Sequence, residues 1–333
     1  MVVAQLILML FIILVAAEVF TNALEHLGER LKISEGVTGS LFAAVGTAMP
    51  ETMVPLLAIF AGTANAHLNE EIGVGAILGA PLMLSTLSLF LMAASVIKKR
   101  GMQGHFNPER SGFTRDLNFF LGAFTLSGVA LFVPHDTPLL RGLLALAMVV
   151  IYFVYIMLTL RASAALVKDG HGTEAHEKML LARLGLPENM LLILVQLALG
   201  LILLVAGAKG FINGIEESSK LFGISALLLS LMIIPIATEL PEKVNSILWI
   251  RRHKDTLAFG NITGAMVFQG TLLPAIGIML TPWAPQKEVF AGIVITLIAT
   301  FWLRFMLGRG QLRVWHLGVN GLLYVAYLAI ALA

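Results

Sequence analysis

The 333-residue sequence has no cysteine, and only 13% of its residues are charged. Without cysteine, disulfide bonds, thiolate metal sites and cysteine nucleophiles are excluded. The charged fraction is about half of that in an average soluble protein. No basic tract with interleaved aromatic residues is present, so nucleic-acid binding has little support. The sequence also lacks a His-Glu-x-x-His motif, and we expect the protein not to be an enzyme.

Hydrophobic residues make up 58% of the chain, which is more apolar surface than a soluble domain of this length can bury. Apolar runs long enough to cross about 30 Å of hydrocarbon recur throughout the sequence. We therefore predict an all-α polytopic membrane protein in contact with membrane lipid. Its ten predicted spans lie near residues 2–24, 36–63, 73–97, 114–134, 138–160, 188–212, 222–250, 256–281, 287–307 and 312–332.

The distribution of positive charge predicts how the chain is oriented. Most of the 22 lysines and arginines fall in links that run from an odd-numbered to an even-numbered span. Because cytoplasmic loops are enriched in Lys and Arg, these links should be cytoplasmic and both termini outside. The longest polar segment, 161–187, then forms a cytoplasmic linker between two five-span halves, 1–160 and 188–333.

The two halves carry an internal repeat. Both contain Thr-x-x-Pro-Glu in mid-span, at 47–51 in span two and at 238–242 in span seven. Five spans per half is an odd number, so the second half should be inverted relative to the first. Inverted repeats place a substrate site near the membrane midplane between the halves. The spans that follow carry Gly-x-x-x-Gly, at 75–79 and 260–264, which predicts close approach to the two motif helices.

The physical chemistry of this motif favours a cation site. A proline inside a helix frees the carbonyl four residues earlier, so Pro50 and Pro241 should break helices two and seven. The carbonyls of Gly46 and Ala237 then become possible ligands. The glutamate after each proline costs about 2.5 kcal/mol or more at bilayer depth, which makes a functional role the default. Carboxylate, hydroxyl and carbonyl oxygens together suit a hard cation.

These residues resemble the two α-repeats of the sodium/calcium exchanger family, within the calcium/cation antiporter superfamily. The family pattern is roughly Gly-Thr-Ser-Leu-Pro-Glu, followed by Gly-Asn-x-x-Gly-Ser-Asn-x-x-Asn on the next helix. The resemblance implies a secondary active antiporter that exchanges Ca²⁺ or another small cation for Na⁺ or H⁺ by alternating access, without a permanently bound cofactor. By analogy it implies a prokaryotic inner membrane. It implies ligand roles for Glu51, Glu242, Thr47, Thr238 and Asn261.

The sequence also departs from the family pattern. The motif serine is Ala48 in the first half and Glu239 in the second, and the asparagine of the following span is Ala76 in the first half. Glu239 therefore joins the candidate cation ligands. Because several family ligands are missing, a cation channel or a transport-inactive relative stays open as an alternative function.

Two further features of the second half allow two interpretations each. Glu239 and Lys243 are four residues apart, which is typical of a local salt bridge on a helix. Alternatively, the Lys243 ammonium replaces a lost sodium ion and makes exchange proton-coupled. Asn261 is either a helix-packing hydrogen bonder or a cation ligand.

Overall fold

The computed structural model describes residues 2–30, 49–61, 65–167, 178–310 and 312–333. The predicted sites Thr47 and Gly46, most of the first half of span two and the middle of the linker lie outside these residues. We label the α-helices in chain order: α1 (Val2–Arg30), α2 (Met49–Ala61), α3 (Ala66–Met83), α4 (Leu89–Arg100), α5 (Arg110–Ala130), α6 (Pro138–Val167), α7 (Met190–Phe222), α8 (Ala226–Thr238), α9 (Leu240–Arg251), α10 (Asp255–Gln269), α11 (Leu272–Leu280), α12 (Lys287–Gly308) and α13 (Val314–Leu332).

Seven segments of the described chain are long and apolar enough to cross a membrane. They are α1, α3 with α4, α6, α7, α10 with α11, α12 and α13. Predicted span four corresponds to α5, and predicted span seven is divided into α8 and α9. The prediction of an all-α polytopic membrane protein is confirmed at this level.

Contacts divide the chain into two compact units, and each contains helices from both predicted halves. One unit comprises Met1–Ala66 and Ile156–Gly223, and the other comprises His67–Tyr155 and Ile224–Ala333. We call them the small unit and the large unit.

In the small unit, α1 and α7 pack as a close antiparallel pair. Glycines on α7 recur every seventh residue and meet side chains of α1 that recur at the same interval in the opposite direction. A Cβ added at Gly200 would lie 2.9 Å from Phe20, and one at Gly207 would lie 3.0 Å from Ile13. Small residues at these positions let the two backbones approach closely, as in other membrane helix pairs.

In the large unit, several predicted spans depart from a continuous α-helix. Span seven breaks between Thr238 and Leu240, and Pro241 is the second residue of α9, as the motif predicted. Span eight also breaks, between Gln269 and Leu272, which the sequence did not predict. Between α3 and α4 the chain forms a π-helical segment, Leu84–Ser88. Such irregularities inside helices are frequent at functional sites.

The links of the large unit that run from odd to even spans contact one another. Arg100, at the end of α4, forms a buried ion pair with Asp255, at the start of α10, with an N–O distance of 2.7 Å. A short antiparallel ladder pairs His105–Phe106 with Leu312–Arg313. These contacts join the links between spans three and four, seven and eight, and nine and ten. All three run from an odd to an even span and are predicted to lie on the same side of the membrane.

At least two of the even-to-odd links of the large unit are joined as well. Arg141, at the start of α6, is buried and donates hydrogen bonds to the carbonyls of Ile278, Thr281 and Pro282, at and beyond the end of α11. Helix carbonyls without partners of their own are favourable acceptors for a cation. Arg141 thus ties the link between spans four and five to the link between spans eight and nine.

Candidate cation site

The second motif lies at the break in span seven. Ala237 and Thr238 are the last residues of α8, and the Thr238 hydroxyl donates to the carbonyl of Ile234 at 3.2 Å. Glu239 forms the break itself, and Glu242 lies in the first turn of α9. The ends of two short helices therefore place a hydroxyl and two carboxylates within five consecutive residues.

The two carboxylates of this break form a buried pair. A carboxylate oxygen of Glu239 lies within 4.8 Å of one of Glu242, and the two residues are 0% and 5% exposed. Glu239 accepts a hydrogen bond of 2.6 Å from the Gln269 amide. Oε2 of Glu242 is buried and has no hydrogen-bond partner among the described residues. A buried carboxylate oxygen of this kind is costly unless a cation or a proton satisfies it.

A lysine lies in the same buried region. The Lys243 ammonium donates to the carbonyl of Pro235 at 2.8 Å and contacts the Met83 sulfur at 2.9 Å. Lys243 is 6% exposed, so its charge is held among protein atoms. The positive charge partly balances the two neighbouring carboxylates.

Asn261 acts as a hydrogen bonder between spans eight and seven. Its Nδ2 donates to the carbonyl of Glu242 and to the Ser246 hydroxyl, both at 3.0 Å. These bonds fix the backbone at the start of α9, and with it the position of the Glu242 side chain. These two bonds support the packing interpretation of Asn261. They use only its Nδ2, so the ligand role of its side-chain oxygen stays a prediction.

The first motif is described only in part. Glu51 lies in the first turn of α2, its side chain is 5% exposed, and it belongs to the small unit. Thr47 and the Gly46 carbonyl lie outside the described residues. The ligand role of Glu51 thus remains a prediction from the repeat.

Gln269 contacts the candidate site, and the sequence did not predict this. It ends α10 at the break of span eight and orients Glu239 through its amide. The available signal was its place in the repeat, where the family pattern has the last asparagine of the helix.

The sequence is similar to known cation exchangers and to related membrane proteins. The family model described as sodium/calcium exchanger protein matches residues 1–161 and 192–333. The putative antiporter CaxA of Alkalimonas amylolytica is 26% identical over 278 residues, covering 82% of this chain and 79% of the relative. Inner membrane protein YrbG of Escherichia coli K12 is 24% identical over 281 residues, covering 84% of this chain and 80% of the relative.

A solved structure also shares the fold. The crystal structure of the H⁺/Ca²⁺ exchanger CAX superposes with a TM-score of 0.71 at 18% identity, covering 98% of this chain and 82% of that one. The family model matches most of the chain. The repeated motifs and the buried carboxylate pair are consistent with this family. The chain belongs to the sodium/calcium exchanger protein family, and it is an integral membrane cation antiporter rather than an enzyme.

Proposed function

We propose that this antiporter exchanges Ca²⁺ or another small cation for Na⁺ or H⁺, with Glu242 and Glu51 as its principal ligands. The observation that carries the proposal is the buried pair Glu239 and Glu242 at a helix break, with Oε2 of Glu242 unsatisfied among the described residues. A hard cation supplies the missing partner, because carboxylate and backbone oxygens are the ligands that Ca²⁺ prefers.

Charge balance supports a divalent ion. Glu239, Glu242 and Lys243 together carry a net charge of about −1 when all are ionised, by their ordinary ionisation. If Glu51 contributes from the first repeat, the net charge becomes about −2, which a divalent cation neutralises. Thr238 and the Ala237 carbonyl would add oxygen ligands from the end of α8, and Thr47 and the Gly46 carbonyl would add their counterparts in the first repeat.

Lys243 favours H⁺ as the coupling ion. Its ammonium already uses the Pro235 carbonyl and supplies a fixed positive charge within the site region. A second metal ion would have to compete with that charge. Protonation of the carboxylates, by contrast, needs no further oxygen ligands.

We also propose the layout of ten spans in two inverted halves, 1–160 and 188–333, joined by the cytoplasmic linker 161–187, with both termini outside. The antiparallel packing of α1 against α7, the first spans of the two halves, supports the inversion. The links joined on either side of the large unit support the alternation of spans three to five and of spans seven to ten.

Reconstituted transport tests this function. Purified protein in proteoliposomes should take up radiolabelled Ca²⁺ saturably when an outward H⁺ gradient or an outward Na⁺ gradient is applied separately. Uptake driven by H⁺ alone would identify the coupling ion we favour. Ca²⁺ flux that needs no counter-ion gradient would instead identify a channel.

Variants at the carboxylates test the site. Glu242→Gln and Glu51→Gln should each abolish exchange, because an amide cannot supply the negative charge that a divalent cation needs. The exposed Glu217→Gln on α7 is the matched control and should exchange at the wild-type rate. Wild-type exchange in Glu242→Gln would refute the assignment.

A further inference from the structure

A second buried carboxyl group lies outside the motif, on α5. Asp116 is 6% exposed and lies in the second turn of the helix. The Tyr155 hydroxyl on α6 donates to its Oδ1 at 3.1 Å. The Oγ1 atom of Thr263 on α10 lies 2.7 Å from its Oδ2 and also 3.0 Å from the carbonyl oxygen of Phe259.

Counting protons in this cluster favours the acid form of Asp116. The Thr263 hydroxyl has one proton to donate. If Asp116 were ionised, this hydroxyl would face two acceptors, the carboxylate and the Phe259 carbonyl, and could donate to only one. If Oδ2 of Asp116 carries a proton, that proton is donated to Thr263, and Thr263 donates its own to Phe259. Both short contacts are then hydrogen bonds.

Among the described residues, no cation of a neighbouring helix is paired with Asp116. The charged residues that act on it are Arg115, on its own helix, and Glu109, which caps the start of that helix and has the opposite charge. From α6 and α10 it meets the hydroxyls of Tyr155 and Thr263, and α11 carries no titratable residue. On α12, Arg304 donates to the side chain of Asn118, at 2.8 Å. A buried carboxylate without a partner of opposite charge is strongly disfavoured, whereas the acid is not.

We propose that Asp116 is a proton-binding site of the transporter, holding a proton between α5 and α10, and that its release alters cation exchange through α10. Release moves one proton from Oδ2 to water. Oδ2 then becomes an acceptor, and the Thr263 hydroxyl turns from the Phe259 carbonyl to the carboxylate.

Helix α10 connects this proton site to the cation site. Thr263 and Asn261 are two residues apart, about 200° around the helix axis, and so lie on nearly opposite faces. One face contacts Asp116, and the other holds the Glu242 carbonyl through Asn261. A shift of α10 on proton release therefore reaches the backbone of Glu242. This second part rests on the cation site proposed above, whereas the proton site does not.

Infrared spectroscopy of the detergent-solubilised protein tests the proton site without measuring transport. The wild-type spectrum minus that of Asp116→Asn should contain the carbonyl stretch of a protonated, hydrogen-bonded carboxylic acid at neutral pH. In Thr263→Val the same band should move to the frequency of a more weakly bonded acid. A difference spectrum that contains only carboxylate bands would overturn the proposal.

Thermal unfolding provides an independent measurement. An asparagine at position 116 can donate to Thr263 and accept from Tyr155, as the acid does, so Asp116→Asn should unfold at the wild-type temperature at neutral pH. At alkaline pH the wild type should unfold at a lower temperature than the variant, because it must then bury a charge. The exposed Asp136→Asn control should follow the wild type at every pH. An equal loss of stability in Asp116→Asn at all pH values would identify a carboxylate and refute the acid.

The pH profile of exchange tests the connection to the cation site. Asp116→Asn should lose part of the pH dependence of the wild-type exchange rate, and Thr263→Val should shift its midpoint, while Asp136→Asn should match the wild type. Identical profiles in all four proteins would refute the connection through α10. That result would leave the cation site intact, since Glu242→Gln tests it separately.

Discussion

The helices that follow the two Pro-Glu motifs have diverged within the large unit. On α3, Gly75 and Gly79 form a packing face: a Cβ at Gly75 would collide with the Ser230 hydroxyl, and one at Gly79 with the Leu231 carbonyl. On α10, Gly260 has no atom within 4 Å among the described residues. This helix instead presents Asn261, Thr263 and Gln269 to polar partners.

The difference shows how a repeated motif can lose its symmetry. The Gly-x-x-x-Gly pairs predicted close approach for both helices, and only the first pair fulfils it among the described residues. Helix α10 instead contacts the candidate cation site, where Asn261 holds the Glu242 carbonyl and Gln269 donates to Glu239. Span three carries Ala76 at the position that corresponds to Asn261, so it has no side-chain oxygen there. Close packing and the positioning of the candidate ligands are thus divided between the two helices.

Substitution of the packing glycine should have the largest effect on stability. In Gly79→Ala the new methyl group meets the Leu231 carbonyl and the Pro235 ring, and overpacking of this kind costs about 1–3 kcal/mol. Gly260→Ala on α10 is the matched control, and it should be neutral or stabilising by up to about 1 kcal/mol, because alanine favours helix. Thermal unfolding in detergent measures both, and equal effects would contradict the division between the two helices.

Removal of the Gln269 amide should weaken cation binding. Gln269→Leu deletes the donor that orients Glu239, and loss of a residue that orients a metal ligand typically costs about 10–100-fold in affinity. The concentration of Ca²⁺ at half-maximal exchange should rise accordingly. The exposed Gln286→Leu should exchange as the wild type does. An unchanged half-maximal concentration in Gln269→Leu would show that Glu239 needs no such orientation.

Truncation of Asn261 should have the smallest effect of the three and separates its two interpretations. If Asn261 only positions α9, Asn261→Ala loses hydrogen bonds worth on average about 0.6 kcal/mol each in membrane proteins, and exchange should continue at a reduced rate. If its oxygen is a cation ligand, the variant should lose exchange as completely as Glu242→Gln. The exchange rate at saturating Ca²⁺ decides between them.

The sequence predicted one of the two helix breaks in the described part of the large unit. The break of span seven follows from Pro241, which cannot continue the hydrogen-bonding pattern of α8. The break of span eight at Gly270 and Thr271 was missed, although Pro274 lies four residues after Gly270 and frees its carbonyl, as Pro241 does for Ala237. Gly270 also packs directly against the Phe120 ring, which is distant in sequence. The π-helical segment Leu84–Ser88 contains no proline.

The candidate site shows the same limit. Glu239 and Glu242 were predicted because charges at bilayer depth are conspicuous in sequence. Asp116 was missed because it lies two residues from the predicted edge of span four, where a carboxylate is usually solvated. Its burial depends on Tyr155 and Thr263, which are distant in sequence. Helix α7 continues to Phe222, beyond the predicted end at 212, and this extension includes Gly214, where an added Cβ would lie 2.7 Å from Leu6 of α1.

Arg141 has a consequence for how the chain is made. During synthesis its guanidinium opposes the proposed orientation, since it must be carried to the side where few positive residues reside. In the folded protein the same group is buried and occupied by three carbonyls beyond and at the end of α11, so it is withdrawn from lipid headgroups and solvent. The residue that opposes insertion thus completes the end of a helix that is made only later, once the fifth and eighth spans have met.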